Sequence, residues 1–170
     1  GDDLMEGGLE NDSFEGGEGN DTMNGGEGGV DDFDRVDYSR DAEDPDGQSG
    51  VFVDLVTGTA TDGYGDTDTL IGIENVSGTQ FADLIQGDDD DNSFDSGGGN
   101  DTLIGGSGGD FIQPGAGSDS IDGGANGVLG QRDTLSYQYD NDATTGVTVT
   151  FTSENAGTVN DWSGGTDTFT

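Results

Sequence analysis

Residues 96–113 read SGGGNDTLIGGSGGDFIQ, which is two consecutive nine-residue units built on one pattern. Each unit begins with small residues, has Asp at its sixth position and has a large apolar residue, Leu103 or Ile112, at its eighth. Glycine in the first six positions permits positive φ angles and therefore a tight turn. The last three residues suit a short strand whose middle side chain faces a core. Because one such strand buries too little apolar surface to be stable alone, we expect the units to stack.

The same nine-residue phase extends over two arrays. Units of the first array begin at Gly7, Gly16 and Gly25. Units of the second array begin at Gly78, Gly87, Ser96, Gly105, Pro114 and Gly123. A linker that is merely rich in glycine would not keep Asp and an apolar residue in register over consecutive copies. The repeat therefore predicts an all-β fold of stacked strands.

The composition indicates that a positive partner is needed. Among 170 residues there are 35 Gly, 38 acidic residues and three Arg, and the formal net charge is −35. Only 27% of the residues are apolar, and this combination is typical of chains that do not fold unaided. Thirty of the acidic residues are Asp, whose short side chain suits turns and metal loops. Either the chain is disordered, or a cation is part of the fold.

The residue types that are missing exclude several classes of function. The chain has no His, Cys or Lys, which rules out a Ser-His-Asp triad, a disulfide, a zinc site of the usual ligands and a Lys-dependent phosphate loop. Three arginines form no basic patch, so we expect no nucleic-acid partner. The longest apolar run, residues 51–56, is interrupted by Asp54 and is too short to insert into a membrane. We also expect no enzyme activity, since Asp at a nine-residue period favours metal ligation over catalysis.

The unit pattern G-G-x-G-x-D-x-U-x, in which U is a large apolar residue, resembles the RTX (repeats-in-toxin) or hemolysin-type calcium-binding nonapeptide. The resemblance implies a right-handed parallel β-roll or β-helix solenoid with calcium ions in the turns. It implies that two units form one turn and that each ion lies between units eighteen residues apart. The lower unit would supply its second and fourth carbonyls and its Asp, and the upper unit its first and third carbonyls and its Asp. About six oxygens per ion suit calcium.

Position by position, the resemblance implies several ligand sets in the second array. The most regular set is Gly97, Gly99 and Asp101 below with Pro114, Ala116 and Asp119 above. Another is Asp88, Asp90 and Asn92 with Gly105, Ser107 and Asp110. A third is Gly106, Gly108 and Asp110 with Gly123, Ala125 and Asp133, the last displaced by an insertion. An opening set is Thr79, Phe81 and Asp83 with Ser96, Gly98 and Asp101.

In the first array the same positions imply two sets. One is Gly1 and Asp3 with Gly16, Glu18 and Asp21. The other is Gly8, Glu10 and Asp12 with Gly25 and Glu27. Val30 stands at the Asp position of this upper unit, so we expect Asp31 or Asp32 to substitute. In total the resemblance implies about four to six calcium ions.

A longer period joins the two arrays. Three pairs of residues are 99 positions apart: Asp34 and Asp133, Tyr38 and Tyr137, and Asp68 and Asp167. We therefore predict a first β-roll array at residues 1–36, a β-rich connecting segment at 37–77, a second array at 78–136 and an incomplete connecting segment at 137–170. We expect wider β-helical turns in the connecting segments. We also expect the chain to be part of a longer protein.

Some local motifs have other interpretations. Residues 88–91 begin like an EF-hand loop, but Ser93 and Gly99 stand where that loop needs Gly and Glu. The sequence DPDG at residues 44–47 resembles a calcium loop, although a simple surface turn is the favoured interpretation. Three aromatic side chains could stack on sugars, although covering an edge of the β-stack is favoured for them: Tyr38, Tyr137 and Trp162.

Three functions are consistent with these features. The favoured one is a calcium-binding structural module of a larger secreted or cell-surface bacterial protein, of adhesin, surface-layer or filament type. The alternative is an accessory module of a secreted enzyme, similar to those of mannuronan epimerases or serralysin-like proteases, that aids secretion, folding or polysaccharide contact. The third is an acidic spacer without ordered metal, which the regularly spaced Asp residues disfavour. The 99-residue period favours the structural module, because arrays appended to enzymes are usually single.

The favoured function implies a route and a set of partners. As in the RTX family, the chain is expected to leave the cell by type I secretion, unfolded at low cytosolic calcium. It would fold outside, because extracellular modules bind calcium at roughly 0.1–1 mM. Its expected partners are calcium and neighbouring repeats of the same protein, with end-to-end association through unpaired strand edges.

Overall fold

The computed structural model describes residues 1–26, 32–41, 47, 49–126, 132–137, 148–151, 157–160 and 165–170. Within these residues the chain forms nineteen β-strands and no α-helix. Accordingly, this described part contains no helix that is long and apolar enough to cross a membrane. The prediction of an all-β fold is confirmed.

Most strands belong to two sheets, and the strands are numbered in chain order. The first sheet has eleven strands in the spatial order β1 (Leu4–Gly8), β3 (Thr22–Gly26), β7 (Thr67–Ile71), β6 (Thr59–Thr61), β5 (Phe52–Asp54), β9 (Leu84–Gln86), β11 (Thr102–Ile104), β14 (Ser120–Asp122), β19 (Thr166–Phe169), β18 (Gly157–Asn160) and β17 (Thr148–Phe151). The second sheet has six, in the order β2 (Ser13–Phe14), β4 (Arg35–Asp37), β8 (Asn75–Ser77), β10 (Ser93–Asp95), β13 (Phe111–Gln113) and β16 (Thr134–Leu135). A short parallel pair, β12 (Ser107–Gly108) and β15 (Ala125–Asn126), lies in the glycine-rich turns.

Parallel pairing in register builds the roll. In the first sheet Leu103 of β11 pairs with Ile85 of β9 on one side and with Ile121 of β14 on the other. In the second sheet Phe94 of β10 pairs with Ile112 of β13. The paired residues are eighteen positions apart, so two nine-residue units complete one turn.

The eighth position of each unit supplies the core between the two sheets. Seven of these side chains are at most 6% exposed: Phe14, Met23, Ile85, Phe94, Leu103, Ile112 and Ile121. Val36, Leu70 and Val76 pair with members of this set and extend the two columns beyond the regular units. Each strand contributes about one buried apolar side chain, so the core is thin. Because hydrophobic stabilisation scales with buried apolar area, this core alone is a weak source of stability.

The connecting segment differs from the wider turns expected of it. Strands β5, β6 and β7 form an antiparallel meander inside the first sheet. Its two ends continue the roll, because β7 pairs in parallel with β3 and β5 pairs in parallel with β9. In the second sheet β4, β8 and β10 pair directly, so the first sheet gains two strands here that the second sheet lacks.

A second meander follows the second array. Strands β17, β18 and β19 are antiparallel, and β19 pairs in parallel with β14. Asp68 and Asp167, which are 99 positions apart in the sequence, occupy the second residue of β7 and of β19. The division of the chain into four segments at the predicted boundaries stays a prediction.

Candidate metal sites in the turns

Glycine at the second and fourth positions of a unit is required by the backbone. In two consecutive units the second-position residues Gly97 and Gly106 have φ angles of 87° and 109°. The fourth-position residues Gly99 and Gly108 have φ angles of 129° and 119°. Residues with a side chain rarely adopt these angles. These are the positions whose carbonyls the resemblance assigns to the ion.

In the unit that begins at Gly105, glycine at the first position is required by space instead, although Ser96 and Pro114 take this position in other units. A methyl group on Gly105 would collide with Oδ2 of Asp110 and would lie 2.6 Å from the carbonyl oxygen of Gly123, one turn further on. At three equivalent glycines, a methyl group would likewise meet a carboxylate oxygen and the carbonyl oxygen of the first residue one turn further on: Gly7, Gly25 and Gly78. A cradle lined with oxygen atoms therefore lies beside the first residue of these units.

The sixth-position carboxylates form hydrogen-bonded ladders along the roll. Oδ1 of each accepts the backbone N–H of the sixth residue one turn earlier. The distances are 2.8 Å for Asp101 from Asp83, 2.8 Å for Asp119 from Asp101, 2.7 Å for Asp21 from Asp3, and 2.9 Å for Asp110 from Asn92. This bond fixes the orientation of each carboxylate, and Oδ2 is left as its second oxygen.

The ladder also contains carboxylates that the nine-residue pattern misses. Asp34 accepts the N–H of Asp12 at 2.7 Å, and Oε2 of Glu74 accepts the N–H of Asp34 at 2.9 Å. Asp34 therefore makes the ladder bond of this unit. Asp32, expected to substitute here, has two buried carboxylate oxygens that accept no hydrogen bond among the described residues, so its role as a ligand stays a prediction. Asp31 and Glu27 lie outside the described residues.

A signal for Asp34 was present in the sequence. Its counterpart 99 positions later, Asp133, accepts the N–H of Asp110 at 3.1 Å after a similar insertion. The long period, rather than the nine-residue period, relates the two residues.

Whereas Oδ2 of Asp83 accepts the N–H of Thr79 at 2.8 Å, four other ladder carboxylates have a second oxygen that lacks a partner within the described part of the protein. There, Oδ2 is buried and accepts no hydrogen bond in Asp21, Asp101, Asp110 and Asp119. Burial raises the pKa of Asp101 to about 7 and the pKa of Asp110 to about 6, and it also raises the pKa of Asp119. An ionised oxygen that is buried without a donor is costly, so these groups require either a proton or a cation.

The donor set suits calcium, which prefers six to eight hard oxygen ligands. Among the described residues no three acidic side chains converge on one point as a metal cluster. The other ligands of any ion would therefore come from the backbone. The carbonyl oxygens of Gly97 and Gly99 reach the next turn, where they lie against Gly115 and Gly117. The orphaned carboxylate oxygens and the nearby carbonyls thus fit a calcium ion by chemistry.

The turns match a known family of repeats. A comparison with protein-family models finds four copies of the RTX calcium-binding nonapeptide repeat, at residues 1–29, 68–103, 77–112 and 104–126. Together these ranges cover more than half of the chain. The chain belongs to the RTX calcium-binding repeat family. It is therefore a calcium-binding repeat module. A comparison with individually curated proteins finds no match.

The RTX register places the predicted ligands of successive turns beside one another. In the most regular set, the carbonyl of Pro114 accepts the hydroxyl of Ser96 at 2.8 Å, and the carbonyl of Ala116 accepts the N–H of Gly99 at 2.8 Å. Three further contacts join other predicted sets: Ser107 N–H to the Asp88 carbonyl at 2.7 Å, Ala125 N–H to the Gly106 carbonyl at 2.8 Å, and the Gly1 amino group to the Glu18 carbonyl. The calcium-ligand roles of all these residues stay predictions.

One RTX unit departs from the pattern at its sixth position. Asn92 replaces Asp, and its Oδ1 accepts the N–H of Asp88 at 2.9 Å. The site between this unit and Asp110 therefore has one carboxylate fewer than its neighbours. We expect it to bind calcium more weakly, because ligand charge contributes to calcium affinity.

At each connecting segment the ladder ends on a tyrosine, and we call these two contacts the seams. Oδ1 of Asp68 accepts the N–H of Asp21 at 2.9 Å, but Oδ2 of Asp68 accepts the hydroxyl of Tyr38 at 2.9 Å. Asp167 repeats both bonds after the second array, with Asp119 at 2.9 Å and Tyr137 at 2.6 Å. Both oxygens of a seam carboxylate thus have a donor in the protein. The 99-residue spacing of these residues was the signal for the seams in the sequence.

Proposed function

We propose that this chain is a structural module of a larger secreted or cell-surface protein, of adhesin, surface-layer or filament type, and that it folds when calcium binds outside the cell. The observation that supports this most strongly is the series of buried carboxylate oxygens without a donor along the roll. Their charge needs compensation, and the chain has three Arg for 38 acidic residues. Cations from solution would therefore be part of the folded state.

The ions would lie between consecutive turns. In the most regular site we propose the carbonyls of Gly97 and Gly99 with Asp101 below, and Pro114, Ala116 and Asp119 above. In the first array we propose Asp34 as the upper carboxylate of the site that contains Asp12, because it makes the ladder bond. With the remaining sets, the chain would hold about four to six ions.

A structural role fits this arrangement better than catalysis. The carboxylates repeat along a column, whereas an acid–base pair for catalysis faces its partner across a cleft. The two seams repeat the same contacts 99 positions apart, which suits a continuous stack within a long protein. Neighbouring copies of this repeat are therefore the partners we propose besides calcium.

Calcium would act as the folding switch. Without ions, a net charge of −35 on a chain with a thin core disfavours the compact state through self-repulsion. Extracellular calcium modules bind at roughly 0.1–1 mM, which is far above cytosolic calcium. The chain would thus stay unfolded during type I secretion and would fold after it leaves the cell.

A calcium titration followed by far-ultraviolet circular dichroism tests this proposal. At constant ionic strength we expect the β signal to appear with a midpoint of about 0.1–1 mM calcium. A midpoint at or below about 0.1 μM calcium, in the range where cytosolic buffers and sensors bind, would mean that the chain folds before export. That result would contradict the proposed switch.

A further inference from the structure

A group of buried carboxylates lies in the connecting segment, outside the sixth positions of the predicted units. Asp41, Asp62 and Asp68 are 4%, 1% and 0% exposed, and Tyr38 beside them is 1% exposed. Asp68 is already satisfied, since its oxygens accept the N–H of Asp21 and the hydroxyl of Tyr38. Oδ2 of Asp62 has no such donor among the described residues.

Asp62 has an oxygen that its own turn does not use. Its Oδ1 accepts two backbone N–H groups, from Tyr64 at 3.0 Å and from Asp66 at 2.7 Å. Its Oδ2 is buried and accepts no hydrogen bond among the described residues. Oδ1 faces the turn formed by residues 62–66, and Oδ2 is the oxygen left without a donor. The carboxylate of Asp62 is close enough to Asp41 and Asp68 to raise the pKa of both.

The carboxylate of Asp41 lies beside the turn that contains Asp62. Its Oδ2 accepts the N–H of Gly63, the residue after Asp62, at 3.2 Å. A methyl group built on Gly63 would lie 2.7 Å from Cβ of Asp41 and 3.4 Å from both this oxygen and the carbonyl oxygen of Ser49. A carboxylate oxygen and a carbonyl oxygen therefore both lie near Gly63.

The charges that act on this group are negative. Burial, followed by the carboxylates of Asp62, Asp68 and Asp37, raises the pKa of Asp41 to about 6. The ion pairs among the described residues join Arg35 to Asp37 at 3.5 Å and Arg40 to Glu15 at 2.9 Å, and none involves Asp41 or Asp62. A proton or a cation from solution would therefore supply the compensating charge.

The same residues recur in the second connecting segment. Each of the four residues of this group has an identical residue 99 positions later in the sequence. Tyr38, Asp41, Asp62 and Asp68 correspond in this way to Tyr137, Asp140, Asp161 and Asp167. Much of the sequence between them differs, as in TDGYGD at 61–66 and NDWSGG at 160–165. Asp140 and Asp161 lie outside the described residues, so their recurrence is an observation on the sequence alone.

We propose that Asp41 and Asp62 bind one calcium ion in the connecting segment, at a site separate from the RTX turns. Ser49 would contribute its carbonyl, and further backbone carbonyls or water would complete the shell. Two carboxylates with carbonyls agree with the lack of a three-acid cluster among the described residues. The ion would hold the turn between β6 and β7 against the chain after β4, and would so fix the meander onto the roll.

Asp62→Asn in the full chain tests the site. The amide keeps an Oδ1 for both backbone bonds and removes only the charge on the unpartnered side. Asp95→Asn is the matched control, because it removes the same charge from an exposed position on β10. The number of bound ions per chain is measured by equilibrium dialysis in saturating calcium with elemental analysis, and the calcium midpoint of folding by circular dichroism. We expect Asp62→Asn to bind one ion fewer and to need more calcium, and Asp95→Asn to match the wild type.

The ion count decides the outcome, because any loss of stability raises the calcium midpoint of a chain that folds on binding calcium. If no cation binds here, Asp62→Asn binds as many ions as the wild type once saturating calcium has folded it, whatever its midpoint. That result would overturn the proposal, whereas the loss of one ion supports it. Asp101→Asn separates this proposal from the proposed function, since it removes a carboxylate from an RTX turn. If Asp101→Asn loses an ion and Asp62→Asn does not, the RTX sites stand and the separate site fails.

Discussion

The turns of the roll and the seams satisfy buried carboxylates in different ways. In the roll, Asp101 accepts one backbone N–H and its second oxygen has no donor among the described residues. At the seam, Asp68 accepts the same kind of N–H, and its second oxygen accepts the hydroxyl of Tyr38. The roll turn therefore needs an ion from solution, whereas the seam is complete within the protein. Calcium dependence thus belongs to particular turns and does not follow from acidity in general.

Removing calcium is expected to have the largest effect, because it leaves the carboxylates of every roll turn uncompensated. In calcium-free buffer we expect the chain to lose most of its β structure, as seen by far-ultraviolet circular dichroism. Equal magnesium should not restore it, since magnesium demands octahedral geometry at about 2.0–2.1 Å and dehydrates reluctantly. Equal recovery in magnesium would mean that general charge neutralisation drives folding, and the distinction between roll and seam would then be lost.

A methyl group at the first position of a unit should be nearly as harmful to the roll. Gly105→Ala would push against Oδ2 of Asp110 and the carbonyl of Gly123, so we expect a loss of about 3 kcal/mol or more in the free energy of unfolding in calcium. Gly98→Ala is the control, because its methyl group would lie 3.6 Å from the nearest atom, the carbonyl oxygen of Ala116. Chemical denaturation in saturating calcium gives both values. Equal losses for the two variants would contradict the role of the cradle.

Part of the fold follows directly from the sequence. The eighth-position side chains, such as Phe94 and Ile112, were predicted to be buried because a strand of three residues can direct only its middle side chain inward. The pairing of residues eighteen positions apart came from the family resemblance, and the register of these two residues agrees with it. The strand at residues 52–54 lies in the connecting segment that was expected to be β-rich. The antiparallel direction of its partner β6 was not expected, because a β-rich sequence does not specify the neighbour of a strand.

The candidate sites were harder to predict where insertions interrupt the period. Asp34 and Glu74 join the ladder outside the nine-residue register, so their distance from the preceding unit does not reveal them, and the 99-residue period is the signal for Asp34. The unpartnered oxygen of Asp62 depends on which N–H groups the turn directs to Oδ1. This last detail arises from three-dimensional contacts, and a one-dimensional period does not contain it.

Acid should replace calcium in part. The metal-free folded state has a pKa of about 7 at Asp101 and about 6 at Asp110, above the ordinary value, because both carboxylates are buried. The folded chain then binds more protons than the unfolded chain, so its stability without calcium is greatest at low pH and is lost as the pH rises through these values. Circular dichroism in calcium-free buffer should show more β structure near pH 5 than near pH 8. Over the same fall in pH the folded chain should bind calcium more weakly, because the ions bind the deprotonated carboxylates. A metal-free chain that gains β structure with rising pH would contradict the burial of these groups.

The smallest effect is expected at the seam. Tyr38→Phe leaves Oδ2 of Asp68 without its donor, which should cost about 1–3 kcal/mol in the free energy of unfolding in saturating calcium. The number of ions bound in the roll should not change, because no roll ligand is altered. Tyr137→Phe is the matched variant at the second seam and should behave in the same way. Loss of a roll ion in either variant would mean that the seam and the roll turns are not independent.

The central claim is that calcium ions compensate the second oxygens of the ladder carboxylates. A crystal structure of the chain grown in calcium, with data recorded where calcium scatters anomalously, tests this directly. We predict an anomalous peak between Asp101 and Asp119, about 2.3–2.6 Å from a carboxylate oxygen of each. We predict no such peak between Asp68 and the hydroxyl of Tyr38, which already bond each other. Absence of the first peak, with Oδ2 of Asp101 bonded to water or to a protein donor, would contradict the claim.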